Sequence, residues 1–377
     1  MPQRLLRQVA RRPVKPSGEI PVMKKSLVAL MALSVAGTAL AQSSNVTLFG
    51  VVDVSFARIS GKGANVTGLA NGSQTSSRLG LRGTEDLGGG MAAGFWLEGS
   101  VGVDTGNASG FSFDRRSTIS LLGNFGEVRL GRDKIAAYPT IETFDPFGDI
   151  GVGGVGGANM LANAANAAGG SASGTTIEGS APKRASNTVN YLLPKLGGFY
   201  GQAQYAFGET ASNAVNDKRG DSYSFRVGYA SGPVHVSGGY SQLRGGSATN
   251  RVDYKSSSIG ASYNFGIVKP MVLFATERGG GQRIDLLELG ATAPLGAGEL
   301  RAAVSRFDLK DSVNDSRKFA LGYGYNLSKR TQVYATVARV TNSGAATRGI
   351  SINGLASPGV AAGGNSTGYE VGVRHAF

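Results

Sequence analysis

The sequence predicts an all-β fold, an antiparallel barrel of sixteen strands that spans a membrane. Apolar residues alternate with polar or small residues in sixteen runs of roughly 8–12 residues, a length that suits a tilted transmembrane strand. Short turns alternate with longer polar loops along the chain. After residue 41, no apolar run reaches the ~20 residues that a membrane-spanning helix requires. If the chain enters a membrane, it must therefore do so with strands.

The N-terminal segment is expected to lie outside the fold. Lys24 and Lys25 precede an apolar run over Leu27–Val35, and Ala39-Leu40-Ala41 provides a small-residue cleavage site. This arrangement is typical of a secretory signal peptide over residues 23–41.

Residues 1–22 are basic and precede Met23, which can serve as a start codon. A misassigned start explains this upstream extension, and a longer leader that uses Arg11-Arg12 is the alternative. The barrel domain is then predicted over residues 42–377.

Charge and composition exclude several classes of function. The formal net charge of +13 comes from 38 basic and 25 acidic residues, and residues 1–41 carry seven of the basic and one of the acidic residues. The remaining 336 residues have a net charge of +7 and no dense basic run, so a nucleic acid partner is not expected. The absence of cysteine excludes a disulfide scaffold, thiolate metal sites and thiol nucleophiles.

The first predicted strand shows the alternation that recurs along the chain. Val46, Leu48 and Val52 share one face, whereas Asp53 and Ser55 lie on the other. The polar face carries charge, Ser, Asn and Gly elsewhere as well, which indicates contact with water. A soluble β-sandwich also alternates, but it needs only about half as many strands. Comparable runs lie at Leu79–Leu81, Phe95–Leu97, Tyr223–Tyr229, Ile259–Phe265 and Phe319–Tyr325.

The last predicted strand has the same character. Tyr369, Val371 and Val373 share one face with the C-terminal Phe377, and Glu370 lies on the other face. A chain that ends in this way is expected to close the barrel by pairing with the strand at Val46–Val54, which removes both sheet edges.

The connections between the runs fall into two classes. Tight turns are predicted at Gly123–Gly126, Lys195–Gly198, Ser231–Pro233, Pro294–Gly298 and Leu327–Arg330. Longer polar loops are predicted at Ser60–Ser76, Asp104–Asp114, Glu209–Asp221, Leu243–Asp253, Leu309–Asp315 and Thr341–Ser366. Short turns at one rim and long loops at the other are typical of outer-membrane barrels.

One connection is much longer than the others. Lys134–Pro182 lacks the period of a strand, and Gly151–Gly174 within it is almost wholly Gly, Ala, Asn and Ser. A structureless segment of this length is usually functional or disordered. We expect Glu142–Asp149 to be ordered inside the barrel and the Gly/Ala/Asn part to be a flexible extension.

Several segments, in order along the chain, resemble the Gram-negative general porins of the betaproteobacterial type. They are Val46–Asp53, Ser77–Gly88, Arg115–Gly126, Val128–Arg132 and Gly372–Phe377. The resemblance covers the chain after the leader. It implies a homotrimer of sixteen-stranded barrels in the outer membrane, each with its third extracellular loop folded into the lumen. It also implies passive diffusion of small hydrophilic solutes and ions, contact with lipid and lipopolysaccharide, and insertion by the barrel-assembly machinery, with Phe377 as the terminal signal.

Basic side chains are candidates for one wall of the pore. The alternation places Arg78, Arg82 and Arg116 on the lumen side, because each lies opposite apolar neighbours. The resemblance implies pore-wall arginines at Arg78, Arg132 and Arg184. Arg132 lies on the same face of its strand as its apolar neighbours. A bulge or the end of the strand would therefore be needed to turn its side chain inward.

The resemblance implies that carboxylates on the inserted loop oppose this basic wall. Asp145 and Asp149 are the candidates, with Glu142 third. The run Asp-Pro-Phe-Gly-Asp differs from the Pro-Glu-Phe-Gly-Gly of enteric porins, which leaves the identity of the constriction acids open. Pro146 and Gly148 are suited to shape the bend. Because the basic candidates outnumber the acidic ones, we expect a modest preference for anions.

Catalysis is not expected, and neither a cofactor nor a metal is predicted. His235 and His375 are the only histidines, and neither lies in a pattern that suggests a triad or a metal site. Two alternatives to a general channel remain. The first is a substrate-specific channel, which lumen-facing Trp96 and Tyr200 would suit. The second is a surface adhesin or scaffold barrel, which the long Gly/Ala/Asn loop would suit.

Overall fold

The structure, a computed structural model, describes residues 45–107, 112–157, 160–161 and 182–377. The predicted upstream extension and signal peptide lie outside these residues, as does most of the Gly/Ala/Asn stretch. Within the described ranges, none of the helices has the length and apolar character that crossing a membrane requires.

The described residues form seventeen strands and a short helix, α1, over Tyr138–Phe144. The first nine strands are β1 Asn45–Gly61, β2 Ala64–Asn71, β3 Arg78–Gly88, β4 Met91–Ser100, β5 Arg116–Gly123, β6 Gly126–Lys134, β7 Arg184–Leu192, β8 Phe199–Ala206 and β9 Ser222–Ser231. The others are β10 Val234–Gly246, β11 Arg251–Tyr263, β12 Lys269–Gly279, β13 Gln282–Leu295, β14 Gly298–Leu309, β15 Ser316–Asn326, β16 Thr331–Asn342 and β17 Asn365–Ala376.

These strands build a closed antiparallel barrel whose wall has sixteen strand positions, here called staves. Strands β2 and β3 both pair with β1, β2 along its second half and β3 along its first, so together they occupy one position in the wall. The remaining strands pair in sequence order. The prediction of sixteen strands is thereby confirmed.

The barrel closes between its first and last strands. Strand β17 pairs with β1 from Val51 opposite Ala376 to Ser60 opposite Thr367. Beyond this ladder, the backbones of Gly50 and Phe377 exchange two hydrogen bonds of 3.1 Å each. The predicted closing role of the last strand is confirmed, and neither terminal strand is left with a free edge.

The two faces of the wall have opposite character. On β1 the apolar Val46 and Leu48 are 64% and 58% exposed, whereas Asp53 and Ser55 are buried. On β17, Val371 is 61% exposed. A wall with apolar residues outside and polar residues inside suits lipid on the outer surface and water within.

One predicted loop has regular structure. Residues 64–71, expected within the loop Ser60–Ser76, form β2 and a hairpin with β1. Lys62 and Gly63 have φ values of 42° and 72°, which are the left-handed angles that a two-residue hairpin needs. Polar or small residues alternate with apolar ones in Asn65-Val66-Thr67-Gly68-Leu69, as expected for a strand. The small residues of this segment make the alternation weak, so the strand was not predicted from the sequence.

The long connection after β6 packs against the polar face of the wall. The Ala137 backbone N–H donates to Ser224 Oγ of β9 at 2.9 Å, and Thr140 Oγ1 lies 3.1 Å from Ser237 Oγ of β10. Phe144 of α1 is fully buried. The segment is therefore held by strands that lie beyond its own stems in the wall.

Wall glycines make room for this segment. At five of them an added Cβ would lie 2.2–3.0 Å from an atom of the segment, which is closer than side chains approach. The pairs are Gly239 with Ala137, Gly260 with Phe144, Gly290 with Pro146, Gly322 with Phe147 and Gly368 with Val152. The glycines lie on β10, β11, β13, β15 and β17, so the contact follows nearly half of the wall.

Candidate functional site

A cluster of basic side chains surrounds a single carboxylate on β4. Glu98 is 9% exposed and accepts a hydrogen bond of 2.6 Å from Arg115 Nε. The same carboxylate oxygen lies 3.8 Å from Arg78 Nε. Residues 78 and 98 belong to strands β3 and β4, which are neighbours, and Arg115 immediately precedes β5. The role of Arg78 in the pore wall stays a prediction.

Arg184 joins this cluster at the start of β7. Its Nε donates to the Arg115 carbonyl oxygen at 3.0 Å. The pairing of β6 with β7 shifts register between Gly131 and Asp133, and Asn187 has a φ of 54° there. An extra residue in β7 therefore interrupts the alternation between Arg184 and Thr188, so the contact of Arg184 could not be read from sequence period alone.

Arg82 and Arg116 form a second group around Trp96. The guanidinium carbon of Arg82 lies 5.0 Å from the Trp96 ring centre, and that of Arg116 lies 4.5 Å from it. Phe49 contacts the Trp96 ring edge-on, with 4.9 Å between ring centres. Arg116 Nε also donates to Thr118 Oγ1 at 3.0 Å. These are cation–π distances, so the rings hold the two guanidinium groups in place.

Arg132 contacts the chain immediately before Arg115. In register it stands opposite Ser117, whose neighbours Arg116 and Thr118 take the inward face. Its Nε donates to the Asp114 carbonyl oxygen at 2.5 Å and its Nη1 to Ser186 Oγ at 2.8 Å. The place of Arg132 in the pore wall stays a prediction.

Of the three candidate acids, Glu142 remains partly accessible. Its side chain is 27% exposed and accepts a bond of 2.5 Å from Lys134 Nζ, at the end of β6. Glu142 belongs to α1, and Lys134 lies at the stem of the same connection. Among the described residues, Glu142 therefore pairs with a lysine at the stem of its own connection and not with an arginine of the opposite wall.

Asp149 is buried within the connection. Its carboxylate accepts bonds from the Tyr138 hydroxyl and from the Gly157 backbone N–H, and Lys183 Nζ lies 3.0 Å away. Burial and the Asp149 carboxylate raise the pKa of Tyr138 well above its usual range, so this hydroxyl stays a donor. The Lys183 ammonium also lies 5.3 Å from the Tyr138 ring centre. The two stems of the connection are thus joined.

Asp145 organises the bend that follows α1. Its carboxylate accepts backbone N–H bonds of 2.8 Å from Phe147, Asp149 and Val155. Burial raises the pKa of the Asp145 carboxyl, and these three donors oppose the rise. Gly148 has a φ of 65°, as expected for a residue that shapes the bend. Asp145 has a structural role and is not accessible to solutes.

Several charged residues of the site were missed by the sequence reasoning. They are Arg115, Glu98, Lys134 and Lys183. Glu98 shares the inward phase of Trp96, which was a usable signal. Arg115 precedes its strand, and the two lysines lie at the stems of the long connection, where alternation carries no information.

The last long loop reaches the same connection. The Arg348 guanidinium lies 3.7 Å from the Phe307 ring centre, and its Nη2 donates to the Met160 carbonyl oxygen at 3.4 Å. Burial lowers the pKa of Arg348 to about 10, so the group stays charged at neutral pH. A charged, stacked arginine therefore links the loop after β16 to the described residues 160–161.

The C-terminal aromatic ring lies at the barrel seam. Phe377 is 45% exposed, and a Cβ added to Gly50 would lie 2.4 Å from its ring. The ring therefore covers the backbone of β1 where the last strand closes. Its role as an assembly signal stays a prediction.

Comparison with known proteins identifies the family. A model described as Gram-negative porin matches residues 26–345. Outer membrane porin protein 32 of Delftia acidovorans is 43% identical over 366 residues, covering 94% of this chain and 100% of that protein. An outer membrane porin protein of Bordetella pertussis is 30% identical over 383 residues, covering 83% of this chain and 93% of that protein.

A solved structure agrees with these relatives. An anion-selective porin from Comamonas acidovorans superposes with a TM-score of 0.79 at 40% identity, covering 89% of this chain and 100% of that one. Family and fold point to a channel and not to an enzyme. The resemblance read from the sequence is confirmed: this chain belongs to the Gram-negative porin family and is a β-barrel of the outer membrane.

Proposed function

We propose that this protein is a general diffusion porin, a water-filled channel for the passive passage of small hydrophilic solutes and ions, with a modest preference for anions. One observation carries the anion preference. Two adjoining groups around β3–β7 hold five arginines and one glutamate, and the neighbouring Arg129 pairs with Glu127 and Asp133. The members are Arg78, Arg115 and Arg184 around Glu98, and Arg82 and Arg116 around Trp96.

The excess positive charge acts through the field that it creates in the channel water. Charges on a low-dielectric wall raise the local concentration of counter-ions and lower the barrier for their passage. The acids of the long connection offset this field only weakly, because Glu142 and Asp149 already pair with Lys134 and Lys183.

We infer that the long connection narrows the lumen. Support comes from its hydrogen bonds to Ser224 and Ser237 and from its fit against the wall glycines. Glu142 is the acid that meets channel water, whereas Asp145 and Asp149 shape the segment. Arg132 is proposed as a further member of the basic wall, next to Asp114 and Ser186.

Three further proposals come from the family. The barrels associate as a homotrimer, they contact lipid and lipopolysaccharide with their apolar outer band, and they are inserted by the barrel-assembly machinery through Phe377. The exposed apolar side chains of β1 and β17 support contact with lipid or with a second barrel. The description of the Comamonas relative as anion-selective supports the ion preference.

Planar bilayer recording tests the proposal. Purified protein should open in three equal conductance steps. In a KCl gradient, the reversal potential should be displaced towards the equilibrium potential of chloride. Arg78→Gln should reduce this preference, and Arg317→Gln, which removes an exposed charge of β15, should leave it unchanged. A cation preference would contradict the proposed selectivity, and the absence of conductance would contradict the channel itself.

A further inference from the structure

In the group around Trp96, two arginines share one pair of aromatic rings. Arg82 and Arg116 approach the Trp96 ring from the two neighbouring strands, β3 and β5. Arg82 also lies 5.2 Å from the Phe49 ring centre. Two cations and two aromatic rings are therefore gathered on one patch of the inward face. Arg82 is exposed and Arg116 is half-buried, so both are open to the channel.

Neither guanidinium in this group contacts a carboxylate of the described residues. The acids nearest to them are already engaged, because Glu98 pairs with Arg115 and Arg78. Glu127 and Asp133 both pair with Arg129, at 2.8 and 2.6 Å. The local acids are thus assigned to other arginines, and the charge of Arg82 and Arg116 is left for a solute.

We infer that Arg82, Arg116, Trp96 and Phe49 form a binding site for aromatic carboxylates within the channel. The inference deepens the proposed function and rests on it, since it names a solute class that the pore would favour. A carboxylate fits the donors of a guanidinium in two parallel hydrogen bonds. A planar ring attached to it would lie against the aromatic pair and against the flat faces of the guanidinium groups.

The chemistry separates this solute class from simple anions. Chloride gains only from the charge, whereas an aromatic carboxylate gains from charge, directed hydrogen bonds and ring contact. A saturated ring of the same size and charge keeps the first two gains and loses most of the third. We therefore expect benzoate to bind about three- to tenfold more tightly than cyclohexanecarboxylate.

Trp96 provides a direct readout, because it is the single tryptophan of the chain. Benzoate titrated into the purified protein should change the Trp96 emission and saturate, with excitation at wavelengths that benzoate does not absorb. Cyclohexanecarboxylate should compete with benzoate at higher concentration. Equal affinity for the two acids would overturn the inference.

Variants locate the site. Arg82→Gln and Arg116→Gln should each weaken benzoate binding about tenfold, since each removes a charged hydrogen-bond donor. Arg301→Gln is the matched control, because Arg301 lies on β14 and pairs with Glu299 at 2.9 Å. If Arg301→Gln weakens binding as much as the other two, only the general field of the pore is responsible and the site is refuted.

A second measurement separates this inference from the proposed function. In a bilayer, benzoate should reduce chloride current in a saturable way, and Trp96→Leu should shift the half-blocking concentration upward about three- to tenfold. Normal chloride conductance without selective benzoate block would overturn the site and leave the porin function standing. If benzoate changes the Trp96 emission selectively in a protein that does not conduct, the binding site stands and the porin function is refuted.

Discussion

At the scale of single residues, the same side-chain type has different roles according to its neighbours. Arg115 is held by the Glu98 carboxylate, Arg132 by a carbonyl and a hydroxyl, and Arg82 by two aromatic rings. The rings contact the face of the Arg82 guanidinium and leave its hydrogen-bond donors free for a solute. The accessibility of each donor, more than the number of arginines, therefore decides what the pore recognises.

Removing the accessible acid of the long connection should strengthen the anion preference. Glu142→Gln cancels a negative charge and releases Lys134, so the chloride-to-potassium permeability ratio is expected to rise about two- to fivefold. Reversal potentials in a salt gradient measure this ratio. Glu209→Gln, an exposed loop acid, is the control and should have no effect. A fall in the ratio would show that Glu142 does not face the ions.

Asp145 should be needed for the order of the bend. An asparagine has one acceptor oxygen, so Asp145→Asn leaves at least one of three buried N–H groups unpaired, at a cost of about 1–3 kcal/mol. We expect noisier open-channel current and faster protease cleavage within residues 145–157 of the folded protein. Asp311→Asn, in an exposed turn, is the matched control. Equal cleavage of both variants would refute the structural role.

At the scale of elements, the wall and the long connection fit each other through glycines. Gly239 faces Ala137. At the neighbouring Gly238, an added Cβ would have only the Ser258 carbonyl oxygen nearby, at 3.5 Å. Alternating phase thus places two adjacent glycines in different surroundings. The fit depends on the absence of a side chain at one of them and not at the other.

This difference yields a paired test. Gly239→Ala would bring a methyl group to 2.8 Å from the Ala137 backbone, and such overpacking costs about 1–3 kcal/mol. The start of the connection should shift, which would change the single-channel conductance and expose the segment to protease. Gly238→Ala should leave both unchanged. The same conductance in the two variants would mean that the connection does not determine the width of the pore.

At the scale of the whole molecule, one seam closes the barrel. The pairing of β17 with β1 joins residues more than three hundred positions apart, and the Phe377 backbone extends the ladder to Gly50. Every other neighbouring pair of staves is joined by a direct chain connection. The seam therefore closes the longest loop of the wall and carries the largest entropic cost of closure.

Deleting Phe377 should affect assembly more than transport. The deletion removes two backbone hydrogen bonds and the ring that covers Gly50, but it changes no inward-facing side chain. We expect a large drop in the outer-membrane level, measured in membrane fractions, with normal conductance of the channels that do insert. Glu209→Gln should insert normally. An unchanged level of the truncated protein would contradict a signalling role for Phe377.

Much of this architecture could be predicted because alternation is a local property. A period of two assigns each side chain to lipid or water without knowledge of its neighbours. Val46, Val371 and Asp53 were assigned correctly in this way. The hairpin at Ala64–Asn71 was missed because its small residues weaken the same signal.

The sequence by itself determined the class of fold, the number of staves, the closing strand and the excess of basic over acidic candidates for the pore. Only the tertiary structure decided which arginine meets which acid, and which acids are buried. Arg115 meets Glu98, and Asp149 meets Lys183. Such contacts join distant positions through the stagger of the strands, a register shift in β7 and the path of a long connection. None of these leaves a periodic trace in the chain, whereas the contrast between lipid and water is repeated at every second residue.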